Sequence, residues 1–450
     1  SLKHSFRASL HICANRLEKY DEIWYNKIIL EGEGKIVKSI FKELDDFLVY
    51  ANEGNMPSKQ LVGSLTIRKG ALIYYKKQAE FRQYVEKLYC DLKIKDLFVS
   101  RKCFSDAVID YYIDSKRGDE NTDIVNKLKQ LDINKVHVFL PIYFIQIESD
   151  HVSIGEINFV KFQSIKKYVQ EQNLFVPNDI DRILADEHFG NVPFVDCVID
   201  ARDNDFAKEQ AQIRLIEIIN VLNFIIYSHI KGVETFSAIS NYGTIDRTFI
   251  FSNKNANISI NTHPSLIKRI TIDEIREFLL GEGKIYVNLF NQLTNNNRSE
   301  IDNRIVNAIN WIGMAVAEKE NSVAFTQAMY GIESLLQYEQ KGEMISKSIV
   351  ASIAENVAFL LGRNFDDRRK LEKRFKELYG IRSKIAHGKS NDISVYDVLD
   401  VIGLAKSLVM SFYETPSLKE AKTMKMVLNH ITKLKYSCLG DKLQGVNEVN

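Results

Sequence analysis

The chain has 450 residues, with 60 Lys and Arg against 59 Asp and Glu, a formal net charge of +1. Single cores stop growing near ~250–300 residues, so two or three domains are expected, and the charge balance excludes global capture of nucleic acid or membrane, leaving a local basic patch as the form any RNA site must take. Five widely spaced cysteines, Cys13, Cys90, Cys103, Cys197 and Cys438, contain no C-x-x-C pair; this excludes a disulfide framework and a zinc knuckle and suits a reducing cytoplasm.

Residues 1–130 read mainly as helix with polar loops, with a short strand around 61–75. The start of the chain lacks the positive segment, apolar core and small-residue cleavage site of a signal peptide, so a cytoplasmic protein is expected. Residues 136–147 and 152–160 are short apolar or alternating runs around 148–151 and predict a β-hairpin. A third strand is predicted over 192–200, then a helix over 206–227 with Asp203 or Asp205 as its N-cap. Residues 215–227 are the most apolar helical stretch, yet Glu217, Asn220 and Asn223 interrupt it and it is too short for a membrane span. Strands return at 248–251 and 258–260, and a helical connector follows over 272–280. Residues 131–294 therefore read as an α+β middle domain with a sensing or regulatory role, after the mainly helical region 1–130.

The polar cluster at 295–299 is the clearest boundary, because everything after it has helical period. Ile305, Ile309, Ile312 and Val316 share one face, as do Phe325, Met329, Ile332 and Leu336. Asn391 or Asp392 is expected to cap a last long helix with Val395, Val398, Leu399, Ile402, Ala405, Leu408 and Phe412 on its apolar face, closed by Pro416. Residues 295–416 thus predict an all-α bundle, and 417–450 a basic C-terminal segment. The fold class is α+β multidomain, an α+β N-terminal region followed by a helical bundle.

Chemistry concentrates at Arg382, Ser383, Lys384, Ile385, Ala386 and His387, followed by Gly388. A histidine titrates near neutrality and can move protons to and from a ribose 2′-OH, while a guanidinium stays charged and grips phosphate oxygens. On a continuous helix five residues advance about 500°, so Arg382 and His387 point about 140° apart. The helix must therefore end near His387, for which Gly388 is a natural left-handed stop, or a second copy must complete the site. Glu333 lies toward the apolar face of its helix and needs a cationic partner, for which Arg382 is the candidate. Taken alone, an Arg near a helix end usually pairs with a carboxylate, and a His before Gly is often only a C-cap.

The longer string 377–388 resembles the HEPN superfamily, whose motif is Arg, four residues, His, and within it the Apea-like branch found in bacterial anti-phage proteins. The likeness extends to helices resembling 304–317 and 325–336, so three ordered elements carry it across the last third of the chain. Many HEPN proteins have Asn, Asp or His after the Arg; serine, here Ser383, recurs in the Apea-like branch. The resemblance implies a HEPN helical bundle that homodimerises so that two motifs line one cleft. It implies a metal-independent endoribonuclease in which His387 is general base or acid and Arg382 steadies the phosphorane, with Glu333 and Ser383 in support and no cofactor. The product would carry a 2′,3′-cyclic phosphate, and the substrate would be RNA, tRNA or mRNA of host or phage, cut in response to a phage-derived trigger. Lys384 and Lys389 flank the motif and are the first candidates for RNA backbone contacts. The alternative is a non-catalytic HEPN module that binds RNA or dimerises, with Arg382 and His387 only stabilising the bundle. A third reading, a toxin silenced by a separate nucleotidyltransferase, is disfavoured because toxins of that type are much shorter.

Overall fold

The structure, a computed structural model, describes residues 43–51, 65–119, 123–174, 180–185, 190–229, 245–251, 256–262, 270–295, 297–338, 348–388 and 393–444. Backbone contacts divide the chain into two compact units, residues 1–136 with 199–209, and residues 137–198 with 210–450. The architecture is mixed α/β with a helical C-terminal region.

In the first unit, β1 (Leu48–Ala51), β2 (Leu65–Arg68) and β3 (Ala71–Tyr75) form an antiparallel sheet of order β1-β3-β2. Where the sequence predicts one strand over 61–75, residues 65–75 make two, turning between the paired Arg68 and Ala71. Helices α1 (Gln78–Asp91), α2 (Arg101–Arg117) and α3 (Ile124–Lys129) complete the unit. Ile73, Phe81, Tyr89, Phe104, Val108 and Tyr112 pack together in a hydrophobic core. Ser100 caps α2 by accepting the Cys103 N–H at 3.0 Å, and the Asp203 carboxylate accepts the Ser100 N–H at 2.9 Å.

The second unit contains a four-stranded sheet of order β4-β7-β6-β5, built from β4 (Asn134–Pro141), β5 (His151–Ile154), β6 (Ile157–Lys161) and β7 (Pro193–Ala201). The hairpin predicted between 136–147 and 152–160 does not form. Instead β4 lies beside β7, and the hairpin joins β5 to β6, wholly within 151–161. The cause is Gly155 (φ +59°), first of the two residues between the paired Ile154 and Ile157, where a tight II′ turn takes glycine. Helix α4 (Ile165–Glu171) lays Ile165, Tyr168 and Val169 into a core with Val160 and Phe194. The Tyr168 hydroxyl donates to the buried Asp196 at 3.1 Å, and His137 Nδ1 lies 2.9 Å from the same carboxylate.

Helix α5 (Asn204–His229) begins where predicted, with the Asp203 carboxylate accepting the Phe206 N–H at 2.9 Å. Its most apolar stretch owes its composition to burial: Ile218, Leu222, Asn223 and Phe224 are all fully enclosed. Among the described residues no helix is long and apolar enough to cross a membrane. An antiparallel pair follows, β8 (Ile245–Phe251) and β9 (Ala256–Thr262), then α6 (Ile272–Leu280), opened by a Thr271/Glu274 capping box, and α7 (Val287–Thr294).

The bundle opens where the polar cluster predicts. Ser299 and Asp302 form a capping box on α8 (Glu300–Ala317), followed by α9 (Asn321–Leu336), α10 (Ile349–Leu361), α11 (Phe365–Ala386), α12 (Val395–Glu414) and α13 (Met424–Gln444). Helix α8 packs against α9 and α12, while α10 packs against α11, α12 and α13, and α9 also meets α11. The apolar face of α12 is buried at Val398, Ile402, Ala405, Leu408 and Phe412, but Val395 and Leu399 are 50% and 44% exposed, a correction to the predicted face; Tyr396, not part of that face, is 78% exposed. The cap of α12 is Ser394, which accepts the Tyr396 N–H at 3.2 Å; Asn391 and Asp392 lie outside the described residues. Helix α5 is built into the same unit as this bundle: Asn220 Nδ2 donates to Asn310 of α8 at 3.3 Å, and the Lys406 ammonium of α12 donates to the Phe224 carbonyl.

Candidate functional site

Helix α11 carries the motif, and its ends follow from local sequence. Asn364 caps it by accepting the Asp367 N–H at 2.9 Å, and Asp366 and Asp367 complement the positive end of the helix dipole. The helix ends at Ala386. His387 is the C-cap (φ −92°, ψ 7°), its N–H donated to Ser383 O at 3.1 Å, and Gly388 (φ +68°) donates to Ile385 O at 3.0 Å. This is a left-handed glycine stop one residue past the histidine.

Only Phe375 and Leu378 of α11 are fully buried, and the exposed residues of the helix leave one side of it open to solvent. Arg374 is held by Asp397 at 2.8 Å and Asp400 at 2.6 Å, which ties α11 to α12. Lys376 pairs with Glu372, and Arg368 donates to Gly362 O at 3.2 Å while stacking on Phe359. Those three cations are engaged. Arg369, Lys373, Lys384 and His387 are exposed, and their spacing puts them on one face within about 60° of arc.

Arg382 points the other way, toward α9. Its Nε lies 3.4 Å from Glu333 Oε1 and its Nη2 donates to Oε2 at 3.4 Å. The guanidinium is centred 5.4 Å from the Tyr330 ring and 5.7 Å from the Tyr379 ring, and Tyr330 in turn meets Trp311 of α8 at 5.2 Å. The Arg382 side chain is 24% exposed and that of Glu333 13%. Burial pushes the Glu333 carboxyl above its usual range, and Arg382 draws it partly back. Among the described residues, the buried side-chain polar atoms without a hydrogen bond are Gln327 Oε1, Glu333 Oε1 and Arg382 Nε. All three sit on the facing helices α9 and α11.

The structure thus joins Glu333 to Arg382 and leaves Ser383 partly buried beside them. It does not bring His387 to Arg382 within one chain: the helix is continuous between them, so they stay about 140° apart, and no hydrogen bond or ion pair connects them. Lys384 is exposed on the histidine face, and Lys389 lies outside the described residues. Sequence reasoning missed Tyr330 and Tyr379. The signal was present, because each stands three residues before its polar partner, Glu333 or Arg382, and so shares that partner's helix face. Among the described residues no three His, Cys, Asp or Glu side chains come together as metal ligands.

Comparison with protein-family models, with curated proteins and with solved structures finds no match to this chain.

Proposed function

We propose that this chain is a HEPN-type endoribonuclease that cleaves RNA by transesterification. The observation that carries the reading is the end of α11, where a helix-terminal histidine faces solvent just over one turn beyond an arginine held by a carboxylate and two tyrosines. Such a pair supplies both needs of the reaction. His387 takes the proton from the 2′-OH or returns one to the leaving 5′ oxygen, and Arg382 stabilises the charge that grows on the phosphorane oxygens. The nucleophile is the hydroxyl that DNA lacks, which makes RNA the substrate.

Because Arg382 and His387 diverge on one helix, the working cleft takes a motif from each of two copies, and the protein acts as a homodimer. Exposed Val395, Tyr396 and Leu399, at the start of α12 just after the motif, supply apolar surface for that contact. The exposed Arg369, Lys373 and Lys384 give the neutral chain its phosphate-tracking stripe. The setting is defence against phage, with host or phage tRNA or mRNA cut after a phage-derived trigger is sensed by the region before the bundle.

The test is incubation of end-labelled tRNA and mRNA in EDTA with wild type and His387→Ala, each purified both from uninfected and from phage-infected cells so that a trigger is supplied. Cleavage by wild type alone, leaving 2′,3′-cyclic phosphate and 5′-OH ends, is the expected result. Equal cleavage by both proteins, or a variant that merely melts at lower temperature with no wild-type cleavage to lose, supports the second reading, a non-catalytic scaffold. That reading draws on the same geometry, since His387 is also a helix cap and Arg382 is also an ion-pair partner.

A further inference from the structure

The surroundings of Arg382 hold more than phosphate recognition requires. A guanidinium and a proton carrier suffice for a phosphodiester, yet three aromatic rings, Trp311, Tyr330 and Tyr379, crowd the same place and all are only partly buried. Three residues before Tyr330 on the same helix, Gln327 carries a buried acceptor without a hydrogen bond, Oε1. Helix α9 runs antiparallel to α11 here: Glu333 meets Arg382, and Asn321 near the other end of α9 donates to Ile393 O, past the end of α11, at 2.9 Å. Gln327 lies six residues from Glu333 toward that end, about 9 Å along the axis. It is therefore level with the last turn of α11, where His387 stands.

From this placement we propose that Gln327, Tyr330 and Trp311 form a base-recognition subsite, which takes the unpaired nucleobase next to the phosphate held by Arg382. The inference rests on the ribonuclease reading and adds to it the residues that would select the cleavage position. Rings and guanidinium planes stack on any base, whereas an amide oxygen accepts an N–H from a base edge. A base seated there would also bring its 3′ phosphate toward Arg382. Gln327 Oε1 is buried and without a hydrogen bond in the free chain, so a base that draws the amide outward and donates to it relieves the cost of an unpaired buried carbonyl.

The experiment measures binding to the full chain carrying His387→Ala, so that bound RNA is not consumed. Two labelled ligands are compared by fluorescence anisotropy, a short unpaired oligoribonucleotide and an abasic ribose-phosphate oligomer of equal length. The base-bearing ligand should bind roughly tenfold more tightly. Adding Trp311→Leu, at a ring that touches Tyr330 and has no contact with Arg382, should erase that difference while leaving abasic binding unchanged, and Trp311→Phe should restore it. Gln327→Met, similar in volume, should reduce the difference severalfold and keeps the test valid if Trp311→Leu fails to fold. Equal binding of the two ligands, or a difference that survives both Trp311→Leu and Gln327→Met, overturns the subsite alone. No binding of either ligand overturns the ribonuclease reading and the subsite together.

Discussion

Glu333 and Arg382 form a loose pair. Both contacts are 3.4 Å, longer than a well-made charge-assisted bond, and one atom on each side lacks a hydrogen bond. The carboxylate therefore orients the guanidinium without saturating it. Glu333→Gln should lower the cleavage rate roughly ten- to a hundredfold by misplacing Arg382, measured as kcat on a defined RNA. Stability carries a second signature. Burial raises the folded-state pKa of Glu333 above its ordinary 4.5, so ionisation is harder in the folded chain than in the unfolded one. Its favourable contribution is complete below the unfolded value and is lost as pH rises through the folded one. Wild type should lose stability relative to Glu333→Gln as pH climbs from 4.5 through that raised value, read from urea denaturation at stepped pH. The pairing of these two residues was readable in the sequence, since a carboxylate on an apolar helix face demands a cation. The aromatic surround was not, because nothing in one helix says which ring of another will lie across it.

At the scale of elements, the stop of α11 decides where His387 stands. Gly388 sits at φ +68°, and a Cβ there would meet nothing within 4 Å, so the only cost of a side chain is backbone strain. Gly388→Ala should lower stability by about 1–2 kcal/mol, measured calorimetrically, and should reduce cleavage further by shifting the cap that holds His387. Gly388→Asn should be milder, because Asn tolerates the left-handed region better. The helices of the bundle were legible for the same kind of reason: caps such as Ser299, the 3.6-residue period and the stop at Gly388 are local instructions. The hairpin was misjudged because two apolar runs in sequence order look like partners, whereas Gly155 supplies the turn that closes β5 on β6 and leaves β4 to pair beside β7. Likewise Val395 and Leu399 fit the helical period of α12 yet lie exposed, since periodicity marks a face and not how far along the helix a neighbour covers it.

For the whole molecule, the buried contact of Lys406 with the Phe224 carbonyl and ring binds α5 to α12 inside the second unit. Burial pushes the Lys406 ammonium from its usual 10.5 down to about 7. Between those values the folded chain binds fewer protons than the unfolded one, so stability rises with pH across that window and is lowest, on this account, below it. Lys406→Met should flatten this pH dependence and raise neutral-pH stability by a few kcal/mol, at about 1.4 kcal/mol per unit of pKa difference. Urea denaturation of both proteins at pH 6, 8 and 10 checks the sign, given that the relevant window runs from about 7 to 10.5. By itself the sequence determined the helical bundle, its opening after the polar cluster at 295–299, a cap at Asp203 or Asp205 and the motif at the end of α11, because each depends on periodicity or on residues within one turn. Only the tertiary structure decided that residues 137–198 share a unit with the bundle, that β4 joins β7, and that Tyr330 and Tyr379 flank Arg382 with Trp311 against Tyr330. Those outcomes depend on which surfaces meet across long stretches of chain, and a side chain's own sequence neighbours carry no record of that.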